Sequence, residues 1–212
     1  MKLSSAVSSL FATSIALSLF GCGGGDGGGL TNKNPGNNDV NVVVAFGDSI
    51  TQGSECPCTP YPARLAAMIG KSVANTGIGG STAEDNVSRT QSAIDKYHPG
   101  FMLILYGVND VIHGHGLDGI IAALDRMVSI CLDNHVVPVL ATYPQPITGH
   151  RIFAPRTVAL NTQIKALASS RGVKCVDLEA EFNMNPEWYM PDGLHPNDPG
   201  TQVMALAFAD LF

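Results

Sequence analysis

Charge is scarce in this chain. Only 14% of its 212 residues are Asp, Glu, Lys or Arg, and the formal net charge is −6. No basic stripe runs along it, which excludes the electrostatic footprint of a nucleic-acid binder. Long apolar runs are missing as well. The segment Leu10 to Phe20 has the length of a signal-peptide core and falls short of the ~20 residues that a spanning helix needs, and no later run is longer. Histidine and cysteine fall at no common zinc spacing, with Cys56, Cys58, His113 and His115 the nearest approach to one. The stretch Gly114-His115-Gly116-Leu117-Asp118-Gly119 fits a dinucleotide-loop pattern, yet it does not directly follow a strand and no acidic residue ends the next one. No metal and no cofactor is therefore expected.

What the chain does have is apolar bulk. With 45% hydrophobic residues it suits one globular domain with a sizeable core.

Three segments are expected in order. Residues 1–21 read as a signal peptide, with Lys2 ahead of the apolar core. Leu19-Phe20-Gly21-Cys22 resembles a bacterial lipobox, and that resemblance implies cleavage before Cys22 and a diacylglycerol anchor on its sulfur. Gly23, rather than Asp, follows Cys22, a pattern that resembles outer-membrane sorting. The competing reading is an ordinary secretory signal with an incidental cysteine. Residues 22–38 are dominated by Gly and Asn and read as a tether. Residues 39–212 read as the folded domain. In an exported chain the four later cysteines, Cys56, Cys58, Cys131 and Cys175, allow three pairings, and the sequence does not choose among them.

Within that domain the apolar runs are short, rich in β-branched residues and regularly spaced. Asn41–Phe46, Ser72–Asn75, Phe101–Tyr106, Val136–Thr142 and Val173–Leu178 read as five strands. They are nearly continuous rather than alternating, as expected of parallel strands covered on both faces. Helical patterns lie between them over Tyr61–Ile69, Ala83–Tyr97 (with Thr82 as N-cap), Leu117–Asn134 and Ala154–Ser170, and Gly200–Leu211 closes the chain. The alternation predicts a three-layer α/β/α sandwich around a central parallel five-stranded sheet. In such sheets ligands sit beyond the carboxyl ends of the strands, so the loops that follow strands carry the function.

Four of those loops hold residues suited to acyl transfer: Gly47-Asp48-Ser49, then Asn75 through Gly80 to Thr82, then Gly107-Val108-Asn109-Asp110, and finally Pro191-Asp192-Gly193-Leu194-His195-Pro196. Each block alone is a common turn or cap. As an ordered set from about Val42 to the end of the chain, they resemble the SGNH hydrolases, also called GDSL esterases/lipases. The small bacterial lysophospholipase/thioesterase type is the most similar.

That resemblance implies a flavodoxin-like sheet, Ser49 as nucleophile and His195 as base. It also implies an oxyanion hole built from the Ser49 N–H, the Gly80 N–H and the Asn109 amide. The chemistry agrees with it. A serine hydroxyl needs a base to take its proton, and imidazole titrates near neutrality. Asp192, three residues before His195, can fix the imidazole's tautomer. Fixed donors on a tetrahedral oxyanion stabilise it by roughly 3 kcal/mol each. Asp48 and Asp110 are expected to hydrogen-bond their own loops. No Gly-x-Ser-x-Gly elbow is present, which argues against the α/β-hydrolase fold.

The expected activity is hydrolysis of a small-molecule, lipid or glycan ester at the cell envelope, with membrane attachment through Cys22. A carbohydrate acetyl esterase, an acyltransferase or a non-catalytic envelope lipoprotein are the alternatives. Trp188, Tyr189, Met190 and the loop Tyr143–Phe153 either wall the pocket or pack locally, and the oligomeric state stays open.

Overall fold

The computed structural model describes residues 34–212. The signal peptide, the lipidation site Cys22 and most of the tether lie outside the described residues. The last tether residues are docked: the Asn38 side chain donates to the carbonyls of Asn134 and His135 at 2.8 and 3.0 Å.

Five strands form one parallel sheet: β1 (Asp39–Gly47), β2 (Ser72–Asn75), β3 (Pro99–Leu105), β4 (Val137–Ala141) and β5 (Lys174–Val176), in the order β2-β1-β3-β4-β5. Alternate residues of each strand enter opposite cores. Val43, Ala45, Leu103, Leu105, Val139 and Ala141 face one side. There they meet α2 (Tyr61–Ile69) and α8 (Asp198–Ala209). Val44, Phe46, Met102, Ile104 and Leu140 face the other. There they meet α3 (Ala83–Tyr97), α5 (Leu117–Asp133) and α6 (Ala154–Arg171). Because both faces are covered, every position of a central strand is worth burying. This explains the unbroken apolar runs, each large side chain contributing about 1.5–3 kcal/mol. The fold is the predicted three-layer sandwich.

The helix limits follow local chemistry. Thr82 caps α3 by accepting the Asp85 N–H, Glu84 and Asp85 sit in the first turn, and His98 ends the helix with φ 46°. One expected strand is too long: β5 stops at Val176 instead of reaching Leu178. Asp177 accepts the Ala180 N–H, the Thr142 hydroxyl and the Lys165 ammonium. With its side chain spent as an N-cap, the chain turns into α7 (Leu178–Phe182). The short helices α1 (Ser49–Gln52) and α4 (Val108–Ile112) also went unforeseen, being too short to show a helical period.

The strand order places the site. The chain goes from β1 out to β2 and then crosses over to β3 on the other side of β1, so the order reverses between β1 and β3. Ser49 follows β1 and Asn109 follows β3. Both therefore stand at the switch point, where open sheets of this kind leave a crevice.

Candidate active site

Ser49 is the first residue of α1, two residues beyond the strand end. The turn is tight. A Cβ on Gly47 would stand 2.2 Å from Thr51 Oγ1 and 2.7 Å from the Leu105 carbonyl, so only glycine passes there. Asp48 holds the turn from its own side chain. One oxygen accepts the Ile50 N–H at 3.0 Å, and the other accepts the Tyr143 hydroxyl at 2.6 Å. Asp48 is fully buried, and burial pushes its carboxyl up to about 6 against the pull of Tyr143, Ile50 and His195.

His195 meets Ser49 from the far end of the chain. Its Nε2 lies 2.9 Å from Ser49 Oγ, and its Nδ1 lies 2.5 Å from Asp192 Oδ2. The other Asp192 oxygen accepts the backbone N–H groups of Leu194 and His195 at 3.0 and 3.1 Å. Partial burial alone would raise the Asp192 carboxyl; the imidazole and the two N–H groups outweigh it and bring the carboxyl below its usual range. This turn is pinned from outside. The His150 ring donates to the Asp192 carbonyl at 2.8 Å, and Ile147 N–H donates to the Gly193 carbonyl at 2.8 Å.

The expected oxyanion donors besides the Ser49 N–H come from α4 and from the loop after β2. Asn109 lies in α4 and its side-chain amide donates to the Ser81 carbonyl at 3.0 Å, which fixes the side chain and leaves its second N–H hydrogen. Gly79 gives its N–H to Gln52 Oε1 at 2.8 Å. The Gly80 N–H is paired with no acceptor among the described residues, and Gly80 takes φ 73° in open space. Asp110 differs from expectation. It reaches beyond its own loop and accepts the Ala83 N–H at 2.8 Å, tying α4 to the start of α3. His115 turns toward Asp110 and Glu84, at 3.6 and 3.8 Å, and the ring of His113 lies 6.0 Å from that of His115.

Beside Ser49 and His195 lies a small crevice of about 10 Å³, walled by Ile50, Gly53, Glu55, Cys56, Pro196 and Thr201. Cys56 and Cys58 form a disulfide, which decides among the pairings the sequence left open; Cys131 and Cys175 are free thiols. Burial pushes the Cys131 thiol up and that of Cys175 up to about 12, so neither is a nucleophile near neutrality. Tyr143 is fully buried and Tyr189 nearly so. Trp188 and Tyr189 both stack edgewise on Phe182. These aromatics pack locally and none lines the crevice. Among the described residues no group of three or more His, Cys, Asp or Glu is placed to hold a metal ion.

Sequence reasoning singled out the loop Tyr143–Phe153 but not the partners of Tyr143 and His150, and it missed Gln52 and Arg64. Arg64 donates to the Thr59 carbonyl, Thr201 Oγ1 and Gln202 Oε1, and pairs with Asp198. Each reaches its partner across the chain, and no local pattern announces such contacts.

Known proteins are similar to this chain in sequence and fold. The chain is 26% identical over 161 residues to an arylesterase of Vibrio mimicus, covering 73% of this chain and 79% of the relative. It is 23% identical over 162 residues to thioesterase 1/protease 1/lysophospholipase L1 of Escherichia coli, covering 74% and 76%. The structure of a putative lipolytic protein of the G-D-S-L family from Desulfitobacterium hafniense superposes with TM-score 0.70 at 24% identity, covering 81% of this chain and 99% of that one. The model of the GDSL-like lipase/acylhydrolase family matches residues 45–203. The chain therefore belongs to the GDSL-like lipase/acylhydrolase family, a family of carboxylic ester hydrolases.

Proposed function

We propose that the protein cleaves a carboxylic ester by double displacement on Ser49. The observation that carries this reading is the unbroken chain from Ser49 Oγ to His195 Nε2 and from His195 Nδ1 to Asp192. Ser49 Oγ attacks the acyl carbonyl as its proton passes to His195 Nε2. Asp192 keeps the other ring proton on Nδ1, so that Nε2 presents a lone pair, and it stabilises the imidazolium that forms. The new oxyanion is met by the N–H groups of Ser49 and Gly80 and by the Asn109 amide. When the tetrahedral species collapses, the alcohol leaves with the proton from His195. Water, deprotonated by the same ring, then frees the acid and returns Ser49 to its resting form. A fluorophosphonate tests the assignment. It phosphonylates Ser49 with loss of fluoride and of the hydroxyl proton, adds the mass of the phosphonyl group (the reagent less HF) to the peptide containing that residue, and ends turnover in step with labelling. A purified, folded enzyme that stays unlabelled and active refutes it.

We also infer that the chain is held at the cell envelope by lipid on Cys22, a reading that rests on Leu19-Phe20-Gly21-Cys22. Cys22→Ser is then expected to leave the protein unprocessed or in the soluble fraction. Normal processing with unchanged membrane fractionation would count against the anchor.

A further inference from the structure

We propose that the disulfide-closed loop from Gly53 to Pro60 is the specificity wall of this enzyme and restricts the acyl group to acetyl size. This rests on Ser49 being the nucleophile.

The loop leaves α1 at Gly53, whose N–H caps the helix on the Ser49 carbonyl at 2.8 Å. It enters α2 at Pro60, packed so closely against Gly53 that a Cβ there would stand 2.7 Å from the proline ring. Cys56 and Cys58 are bonded across Pro57, whose φ is fixed by its own ring. Arg64 then ties the Thr59 carbonyl to Thr201 at the start of α8, just beyond His195. The loop is thus fastened at both ends and across its middle, and Glu55 and Cys56 line the crevice beside the nucleophile.

The crevice they border has room for about one water-sized group and is partly open to solvent. It touches both Ser49 and His195, and none of Gly80, Ser81 or Asn109 lines it. Of the substituents on a tetrahedral carbon bonded to Ser49 Oγ, the oxyanion therefore points elsewhere. That leaves the acyl carbon or the alcohol for the crevice. The alcohol departs with a proton from His195 while the acyl group stays bonded to Ser49 through both steps, and the crevice is assigned to the group that stays. The acyl group only has to fit, and a methyl fits. A longer chain would have to displace the buried Ile50 or the disulfide, or push aside the exposed Glu55 side chain.

The test varies the acyl chain at constant leaving group, using p-nitrophenyl acetate, butyrate and octanoate. The native enzyme is expected to favour acetate over butyrate by about 10-fold or more in kcat/KM, the scale at which a pocket senses added methylenes. Three changes should lower that ratio by about 5-fold or more. They are the Cys56→Ser/Cys58→Ser double variant, native protein reduced by a phosphine that takes the disulfide to two thiols, and Glu55→Ala, a change at an exposed wall residue. Circular dichroism confirms that each stays folded, and Glu55→Ala decides the matter if opening the disulfide unfolds the chain. A native enzyme that handles butyrate or octanoate as well as acetate overturns the proposal. So does an acetate-to-butyrate ratio that none of the folded forms changes. Discrimination by alcohol size among acetate esters, with indifference to the acyl chain, would place the alcohol in the crevice and overturn it too. A Ser49→Ala control separates the two readings. Turnover that survives it removes the catalytic assignment, whereas turnover that needs Ser49 with an unmoved ratio removes only the wall.

Discussion

Ser49→Ala lowers kcat on p-nitrophenyl acetate by on the order of 10⁵-fold or more, while circular dichroism and the urea midpoint stay close to native. The size follows from what is removed. In the proposed mechanism no acyl-enzyme forms without Oγ, and His195 and Asp192 have nothing to activate; such units fail together when one member is lost. What remains is substrate binding and whatever the Gly80 and Asn109 donors give to attack by water. The fold survives because Ser49 serves it through its backbone. Its carbonyl accepts the Gly53 N–H at 2.8 Å, and alanine keeps that bond at a helical position it favours. The lost hydroxyl leaves His195 Nε2 without its partner, but the ring is 15% exposed and water can replace it. Steady-state kinetics on the purified variant decide the point, and activity within tenfold of native would remove Ser49 from the mechanism.

The sequence carried the parts of this molecule that are local or periodic. The five strands were visible because β1, β3 and β4 are buried on both faces, which leaves a continuous apolar run as the only workable composition. The Asp192/His195 pair was visible because three residues separate them, within reach of a single turn. Asp48 before α1 and Asp177 before α7 were visible as polar residues but not as helix starts, since four or five residues hold barely one helical turn. The links that brace the site were not visible at all. Tyr143 reaches Asp48 across 95 positions and His150 reaches the Asp192 carbonyl across 42. Nothing in the local pattern of a tyrosine or a histidine names such a partner. The aromatics before Asp192 could equally have lined a pocket or a core, and only packing against Phe182 settles which.

Asp192→Asn is the sharper probe of mechanism, because it changes one atom and preserves the shape. The carboxylate does two things at once: Oδ1 takes two backbone N–H groups and Oδ2 takes the imidazole N–H. Asparagine has only one acceptor oxygen. If that oxygen stays on the backbone, the amide NH₂ faces His195 Nδ1, the ring proton moves to Nε2, and the base becomes a donor pointed at Ser49. If the amide turns over, its NH₂ confronts two N–H donors and the turn that carries His195 loosens. Either way kcat falls by about 10⁴-fold, the scale of a triad carboxylate replaced by its amide. Fluorophosphonate labelling of Ser49 slows with it. The same carboxyl is held below its ordinary range in the folded state, so its contribution to stability is present above the unfolded value and is lost as pH falls through the folded one. The gap in urea midpoint between native and Asp192→Asn is accordingly widest near neutrality and closes in acid. A variant that keeps native kcat, or a gap that widens in acid, would show that Asp192 neither orients the ring nor is ionised in the resting site.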